Sequence, residues 1–443
     1  MTKAEFKNST WWIYAAVALA ALPVLLFRDF TPDNELRYLS IADEALRDGA
    51  MFCFTNHGAA YADKPPLYLW AVMAGKAAFG GHHMWFLALF SLVPMLLVGR
   101  IMDRWAARHM PLRQRRTALL MLFTCGYFPA LGLTLRMDML MTLWIVLALR
   151  QVWRIASDSG AATRSSCAML GLYTFLALFT KGPLGVIIPL LGSAAWLLWT
   201  GRARLWLRCW SWPAWAVLLG GCALWFGCVW HEGGQAYLDN LLFHQTIDRA
   251  RDAFHHKRPF YYYAIAIWYV MAPWSLLLLY RACTLRGRIV QGPYRKLMLA
   301  VPAVTFAVLS CISSKLQVYL LPAIPFAVYL CASWPCGPRL ERAVRVFAAA
   351  VGILVFAAGC ALPWLNPAFG YGDACRRAAA LKPTMVIVDS AVRRGENIDA
   401  YFSCPVTVAD SHAQEFSLPA GAVLISPGSD RHNRISISYE PNR

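Results

Sequence analysis

Charge is what this sequence has least of. Only 15% of its 443 residues are Asp, Glu, Lys or Arg, and acids are scarcer still, 24 against 42 basic residues. At 58% hydrophobic and 14% aromatic, the chain repeats apolar runs near the length that crosses a bilayer, which a soluble core has no use for. Also missing are CxxC pairs, metal-ligand spacings, internal repeats, low-complexity linkers and the inverted symmetry of many transporters. No small-residue cleavage site follows the first apolar run, so the basic N-terminus reads as leading into an uncleaved span. The thirteen cysteines lie mostly inside apolar runs and read as packing residues. Cys53, Cys375 and Cys404 stand in polar segments, where a disulfide between two of them is an open alternative.

The net charge of +18 would suggest nucleic acid in a soluble protein. Here the excess arginine sits in short loops between apolar runs, as the ordinary orientation signal does, and nucleic-acid binding is set aside. Eleven spans are expected: Trp11–Phe27, Met84–Met102, Thr117–Leu133, Met139–Trp153, Cys167–Thr180, Leu184–Thr200, Trp212–Trp230, Tyr261–Tyr280, Leu297–Ile312, Leu316–Ser333 and Val346–Leu365. Pro66–Phe79 is too short to cross comfortably and contains Lys76, so it suits an interfacial or re-entrant helix. If it stays on one side, the loops holding Arg104 to Arg116, Arg154 and Arg164, Arg202 to Arg208, Arg286 to Lys296 and Arg339 to Arg345 all fall on the N-terminal, cytoplasmic face. The N-terminus is then inside and the C-terminus outside.

That threading sends the remaining polar segments to one outer face: DNELRY with ADKPP, LRMDM, TKGP, the long stretch from Glu232 to Phe260, and SSK. Each short lysine turn must be a hairpin tip, because the two flanking runs as one helix would rise roughly 50 Å. The expected architecture is an all-α polytopic membrane domain over residues 1–365, with juxtamembrane helices in the first outer loop. A small external α/β domain should cover 366–443, with strand-like runs at Thr384–Asp389, Val406–Ala409, Val423–Ser426 and Ile435–Tyr439.

Carboxylates on the outer face are Asp33, Glu35, Asp63 and Asp138. Near span ends a charge needs a partner or a task. Asp33, Glu35 and Asp138 are candidate general bases, since a carboxylate in a partly dry pocket can take a proton from an acceptor. Each has a plainer reading. Asp33 or Asn34 can cap the helix-compatible run that follows, Glu35 can favour its positive end, and Arg136 can simply pair with Asp138 across a short turn.

Outer loops should be poor in Lys and Arg, so Lys64, Arg136, Lys181, Arg249, His255 and Lys315 together point to an anionic ligand such as a lipid phosphate. Lysines at helix ends also snorkel, which is the plain alternative. Pro65, Pro66 and Pro183 stiffen the turns presenting Lys64 and Lys181. The stretch from Glu232 to Phe260 is long enough for a lid or binding loop. Its His244 and His256, with Asp63, could hold a divalent metal, although no spacing enforces one.

The order of DNELRY, YADKPPLYLW, RMDMLMT, FTKGPLGVIIP, QTIDRARDAFHHKRPFYYY and SSKLQVYLLPAIP resembles the polyprenyl-phosphate-sugar-dependent glycosyltransferases of the GT-C class. The likeness is nearest to the lipid A aminoarabinose transferases, more distant to the protein O-mannosyltransferases, and runs from about residue 10 to 335. The resemblance implies an inner-membrane enzyme with a periplasmic cavity, moving a sugar with inversion from an undecaprenyl-phosphate carrier to lipid A, another lipopolysaccharide component or a protein. No cofactor is required by that chemistry. It maps the first-loop acid to the Asp33–Glu35 cluster, with Arg37 and Tyr38 beside it, the second acid to Asp138, and donor-phosphate contacts to Lys64, Lys181 and Arg249. One departure is that relatives commonly carry an acidic pair shortly before Arg-Tyr, where this chain has Asn34 and Glu35 before Leu36. A flippase or transporter is the non-enzyme alternative, and an assembly or receptor role a third. Nearly charge-free spans, with polarity gathered on one face, argue against a through-path.

Overall fold

The computed structural model describes residues 9–243, 258–285, 290–411, 417–428 and 435–441. The chain is mostly helical, as the apolar runs require: with no water to satisfy backbone groups, a lipid-embedded segment must close its hydrogen bonds within itself. In chain order the helices are α1 (Trp11–Phe27), α2 (Glu35–Asp48), α3 (Leu67–Phe79), α4 (Met84–Ala106), α5 (Leu112–Phe123), α6 (Tyr127–Gly132), α7 (Asp138–Ser157), α8 (Arg164–Lys181), α9 (Leu184–Trp199), α10 (Arg204–Cys209), α11 (Trp212–Asp239), α12 (Tyr262–Val270), α13 (Trp274–Leu285), α14 (Gly292–Cys311), α15 (Ile324–Ala332), α16 (Pro338–Phe369) and α17 (Gly372–Ala380). Among the described residues five helices are long and apolar enough to cross a membrane, or six if the pair α12 and α13, bent by 112°, is one broken span.

Three of the expected spans are interrupted. Thr117–Leu133 divides into α5 and α6 around Thr124 to Gly126, and the Gly126 amide donates to the Ala272 carbonyl at 2.9 Å. Tyr261–Tyr280 bends ahead of Pro273, which has no amide hydrogen to continue a helix. Leu316–Ser333 begins as a 3₁₀ turn, Gln317–Ala323, and becomes α-helical only at α15. Hydropathy reports burial in apolar surroundings and is blind to such breaks. The short Pro66–Phe79 run is the thirteen-residue helix α3.

The chain divides into two compact units. The first comprises Met1–Ala18, Ala62–Tyr68 and Ala88–Ile353. Its helices pack closely where glycine allows: a Cβ on Gly171 of α8 would run into the Ala214 carbonyl oxygen of α11. Buried in the same unit, Asp103 accepts from Thr10 Oγ1 at 2.9 Å and from Arg115 Nε at 2.8 Å.

The second unit comprises Leu19–Tyr61, Leu69–Leu87 and Leu354–Arg443. It carries a small hairpin, β1 (Thr55–Asn56) and β2 (Ala59–Ala60), and a four-stranded sheet of β3 (Met385–Asp389), β4 (Val406–Ala409), β5 (Ala422–Pro427) and β6 (Ile435–Tyr439). The sheet order is β4-β3-β5-β6, with β4, β3 and β5 parallel and β6 antiparallel to β5. β3 is central and almost wholly buried, matching its unbroken Met-Val-Ile-Val run, whereas β6 alternates and the edge strand β4 has no buried residue. Within this unit α2 meets the 3₁₀ turn Gly395–Tyr401, where Ser40 Oγ donates to Asp399 Oδ2 at 2.8 Å. Glu44 on α2 accepts from Thr55 Oγ1, the His57 amide and the Gly58 amide at 2.7, 2.7 and 2.9 Å, which fixes the hairpin.

All thirteen cysteines are free thiols, so Cys53, Cys375 and Cys404 form no disulfide.

Candidate functional site

In the first unit α7 and α8 are packed neighbours, and each ends in the residue its backbone favours. Asp138 occupies the first turn of α7, where the helix dipole is positive, and Lys181 closes α8, where it is negative. Gly182, at φ 109°, stops α8 in a conformation only glycine takes freely, and Pro183 lets α9 begin at once. The RMD turn ahead of α7 is pinned by Ser91 Oγ, which donates to the Arg136 carbonyl at 3.1 Å.

The two helix ends meet. Lys181 Nζ donates to Asp138 Oδ1, and Arg136 Nε donates to Asp138 Oδ2 at 3.1 Å. Asp138 is 1% exposed, Lys181 8% and Arg136 26%. An ion triad this dry exists only because each charge has its partner. Tyr319 lies beneath the ammonium, with Lys181 Nζ 4.9 Å from the ring centroid. In the same unit Lys64 Nζ pairs with Asp63 Oδ2 at 2.9 Å on the stiff ADKPP turn.

Asp63, Lys64, Lys181 and Tyr319 share the wall of one cavity of about 930 Å³. Apart from Ser314, the rest of that wall is apolar. Leu184, Ile187 and Leu191 line it from one face of α9, and Ala307, Val308 and Cys311 from the last turns of α14. Trp225 and Phe226 of α11 complete the side. From Leu184 to Leu191 a helix rises about 10 Å, so the cavity pairs a cationic end with a long greasy trough. That is the shape of a receptor for a phosphate carried on a hydrocarbon chain.

Lys315, expected at this face, is 4% exposed and donates to the Ile312 carbonyl; its neighbour Ser314 lines the cavity. Tyr263 braces the same turn, its hydroxyl donating to the Leu316 carbonyl at 3.2 Å.

The first-loop residues belong to the second unit. Glu35 is 2% exposed, takes both Arg28 terminal nitrogens at 2.8 Å each, and accepts the Thr31 amide at 2.8 Å. Asp33 accepts from Arg393 Nε at 2.9 Å and is 45% exposed. Neither caps α2: Asn34 holds the cap position without a side-chain capping bond and accepts instead from Arg37 Nη2 at 3.2 Å. Arg37 also lies over the Tyr61 ring, 5.5 Å from its centroid, and Tyr38 is buried.

Arg249, His255, His244 and His256 lie outside the described residues. Among the described residues no three His, Cys, Asp or Glu side chains gather as a metal-ligand set, and Asp63 is paired with Lys64. Sequence reasoning missed Tyr319 and Trp225, two aromatics among many whose place in the cavity wall no spacing announces. It also missed Asp43, which holds Lys76 Nζ and His82 Nε2 at 2.6 Å each in the second unit.

No protein-family model matches the chain. It is 26% identical over 332 residues to the undecaprenyl phosphate-alpha-4-amino-4-deoxy-L-arabinose arabinosyl transferase of Erwinia tasmaniensis, covering 71% of this chain and 57% of that protein. The protein of the same name from Pseudomonas aeruginosa is 28% identical over 308 residues, covering 67% of this chain and 54% of that one. The chain thus spans less than two thirds of the length of these relatives. Among solved structures, ArnT from Cupriavidus metallidurans bound to undecaprenyl phosphate superposes with a TM-score of 0.73 at 18% identity, covering 95% of this chain and 93% of that one. In sequence the chain therefore resembles the undecaprenyl-phosphate aminoarabinose transferases, and in fold it is an ArnT-like, mostly helical multi-pass membrane protein.

Proposed function

We propose that the protein is an inner-membrane glycosyltransferase that takes a sugar from an undecaprenyl-phosphate carrier and transfers it, with inversion, to lipid A or another lipopolysaccharide component. One observation carries this reading: Lys64 and Lys181, the latter bonded to the buried carboxylate of Asp138, stand at the polar end of a largely apolar cavity. The trough takes the first prenyl units of the carrier, and the ammonium groups take its phosphate.

In the reaction the bond from the sugar's anomeric carbon to the phosphate oxygen breaks while an acceptor oxygen bonds the opposite face of that carbon. The electron pair leaves with undecaprenyl phosphate, and Lys64 and Lys181 stabilise the charge that grows there. Asp138, clamped by two cations, stays ionised and positions Lys181; a carboxylate so engaged is a poor proton acceptor. Asp63, on the cavity wall, is held by one cation, Lys64, against the two on Asp138; as Lys64 turns to the phosphate, Asp63 is the carboxylate disposed to receive a proton from a hydroxyl acceptor. An acceptor phosphate needs no such help, because it is already anionic. Glu35, held by both terminal nitrogens of Arg28, is a poor proton acceptor for the same reason as Asp138.

The threading that goes with it has eleven spans, with the N-terminus cytoplasmic and residues 366–443 forming a small periplasmic domain. The uneven distribution of arginine among the loops supports it. The deciding experiment supplies purified protein with an undecaprenyl-phosphate-linked sugar and lipid A and follows the acceptor's mass. Lys64→Ala and Lys181→Ala are expected to insert normally and to lose at least about a hundredfold in rate, the scale of removing one transition-state charge contact. Wild-type turnover by both variants would refute the phosphate role.

A further inference from the structure

The end of α7 far from Asp138 carries a second group of charges. Arg100 and Arg104 lie one turn apart on α4, Arg108 follows just beyond that helix, and Arg150 and Arg154 lie one turn apart on α7. Trp105 and Trp153 hold the two helix ends together, 6.1 Å between ring centroids, and Arg104, Arg108 and Arg154 all lie within electrostatic reach of Arg150. All five arginines are exposed, and none forms an ion pair or hydrogen bond among the described residues. The carboxylates beside them in the chain are engaged elsewhere, Asp103 by Arg115 and Asp158 by the Gly160 amide. Like charges one turn apart destabilise a helix. An orientation signal needs only positive charge in a loop, whereas four of these five stand on helices and converge from two of them.

The residues next along each face say what kind of anion fits. On α4, Val93 and Leu97, 43% and 42% exposed, precede Arg100 and Arg104 at helical spacing, and on α7 Leu147 precedes Arg150 and Arg154 in the same way. Both helices are long and apolar enough to cross a membrane. We propose that Arg104, Arg108, Arg150 and Arg154 bind the phosphate of an anionic glycerophospholipid whose acyl chains lie along Val93, Leu97 and Leu147. A soluble anion would have no use for the apolar stripe, whereas a lipid presents its charge where that stripe ends. The arginines repel one another in the lipid-free protein, and the headgroup turns that cost into charge-assisted hydrogen bonds. Arg150 stands about 18 Å beyond Asp138 along α7, so the site is separate from the carrier cavity and independent of the donor reading.

The test is equilibrium binding to the full chain, by native mass spectrometry in a neutral detergent, of phosphatidylglycerol and of phosphatidylcholine with the same acyl chains, whose choline cancels the phosphate charge. Wild type should prefer phosphatidylglycerol by about tenfold or more, the worth of one hydrogen bond to a charged group. Arg104→Gln with Arg150→Gln should lose that preference, and its lipid-free unfolding midpoint should not fall, because the change relieves repulsion. The control Arg342→Gln with Arg345→Gln removes the same charge from α16 and should keep the preference. Equal affinity of wild type for the two lipids overturns the proposal, as does equal weakening by the two paired variants, which is general attraction alone. A lower midpoint for the first pair shows the arginines satisfied within the chain and overturns it too. Displacement of the lipid by equimolar glycerol phosphate makes the ligand a soluble anion, and loss of binding with Lys64→Ala in place of the arginine pair moves the lipid to the carrier cavity; either result overturns the assignment. No sugar donor is present, so none of these outcomes bears on the transfer reading.

Discussion

The triad of Arg136, Asp138 and Lys181 makes an ordered prediction about stability. Replacing Asp138 by Asn leaves Lys181, 8% exposed, beside Arg136 with no anion between them. Stranding a buried charge costs about 3–5 kcal/mol, and like-charge repulsion places this variant at the upper end. Replacing Lys181 by Met is milder, because Asp138 keeps Arg136 at 3.1 Å; about 1–3 kcal/mol is expected, the range for one lost charged hydrogen bond. The double replacement Asp138→Leu with Lys181→Met removes the most desolvated pair together and should be clearly more stable than Asp138→Asn, because the charge that then loses Asp138, on Arg136, is 26% exposed and reaches water. All three should be inactive in sugar transfer. The assay is unfolding in mixed micelles, with transfer followed on the same samples. A double variant less stable than Asp138→Asn would show that the pair contributes net stability, and the account of why it is there would fail.

Three further outcomes follow from single contacts. Burial pushes the Asp399 carboxyl above its usual range, with the Ser40 hydroxyl bond and His57 at 4.0 Å opposing the shift and Asp43 adding to it. A proton held more tightly by the folded chain means that this group costs stability as pH rises from the ordinary carboxylate value through the raised one, and costs nothing below it. Asp399→Asn should flatten the melting-temperature profile on the alkaline side of the ordinary carboxylate pKa, and an unchanged slope there would reject the assignment. Gly171→Ala drives a methyl into the Ala214 carbonyl and should lower stability by about 1–3 kcal/mol, read from the unfolding midpoint. Glu44→Gln offers one acceptor oxygen where three donors converge, so amide exchange at His57 or Gly58 should accelerate by the equivalent of about 1–3 kcal/mol.

Much of the fold was legible because the bilayer reads sequence crudely. Apolar length sets where a helix runs, and α1, α4, α7, α8, α9, α11, α14 and α16 lie on eight of the expected runs. The four C-terminal strands were equally visible as short β-branched runs between turn residues. The breaks in the other three spans were not. They depend on contacts such as the Gly126 amide with the Ala272 carbonyl, which join residues far apart in the chain.

For the site, the chain order alone named Lys64, Arg136, Asp138 and Lys181, since a charge at the end of an apolar run is conspicuous wherever it falls. It left open whether Arg136 merely neutralises Asp138. The tertiary structure answers that Lys181 joins the pair, because antiparallel packing of α7 on α8 brings a helix start beside a helix end. Glu35 shows the converse. As a letter in the sequence it was a candidate base, and only folding reveals Arg28 filling both its oxygens. Composition determined that this protein lives in a membrane and where its charges are, because the cost of burying a charge acts on each residue singly. Which charges meet, and that Trp225 and Tyr319 share a cavity wall with Lys181, was decided by packing, because proximity is a property of pairs that a linear order does not contain.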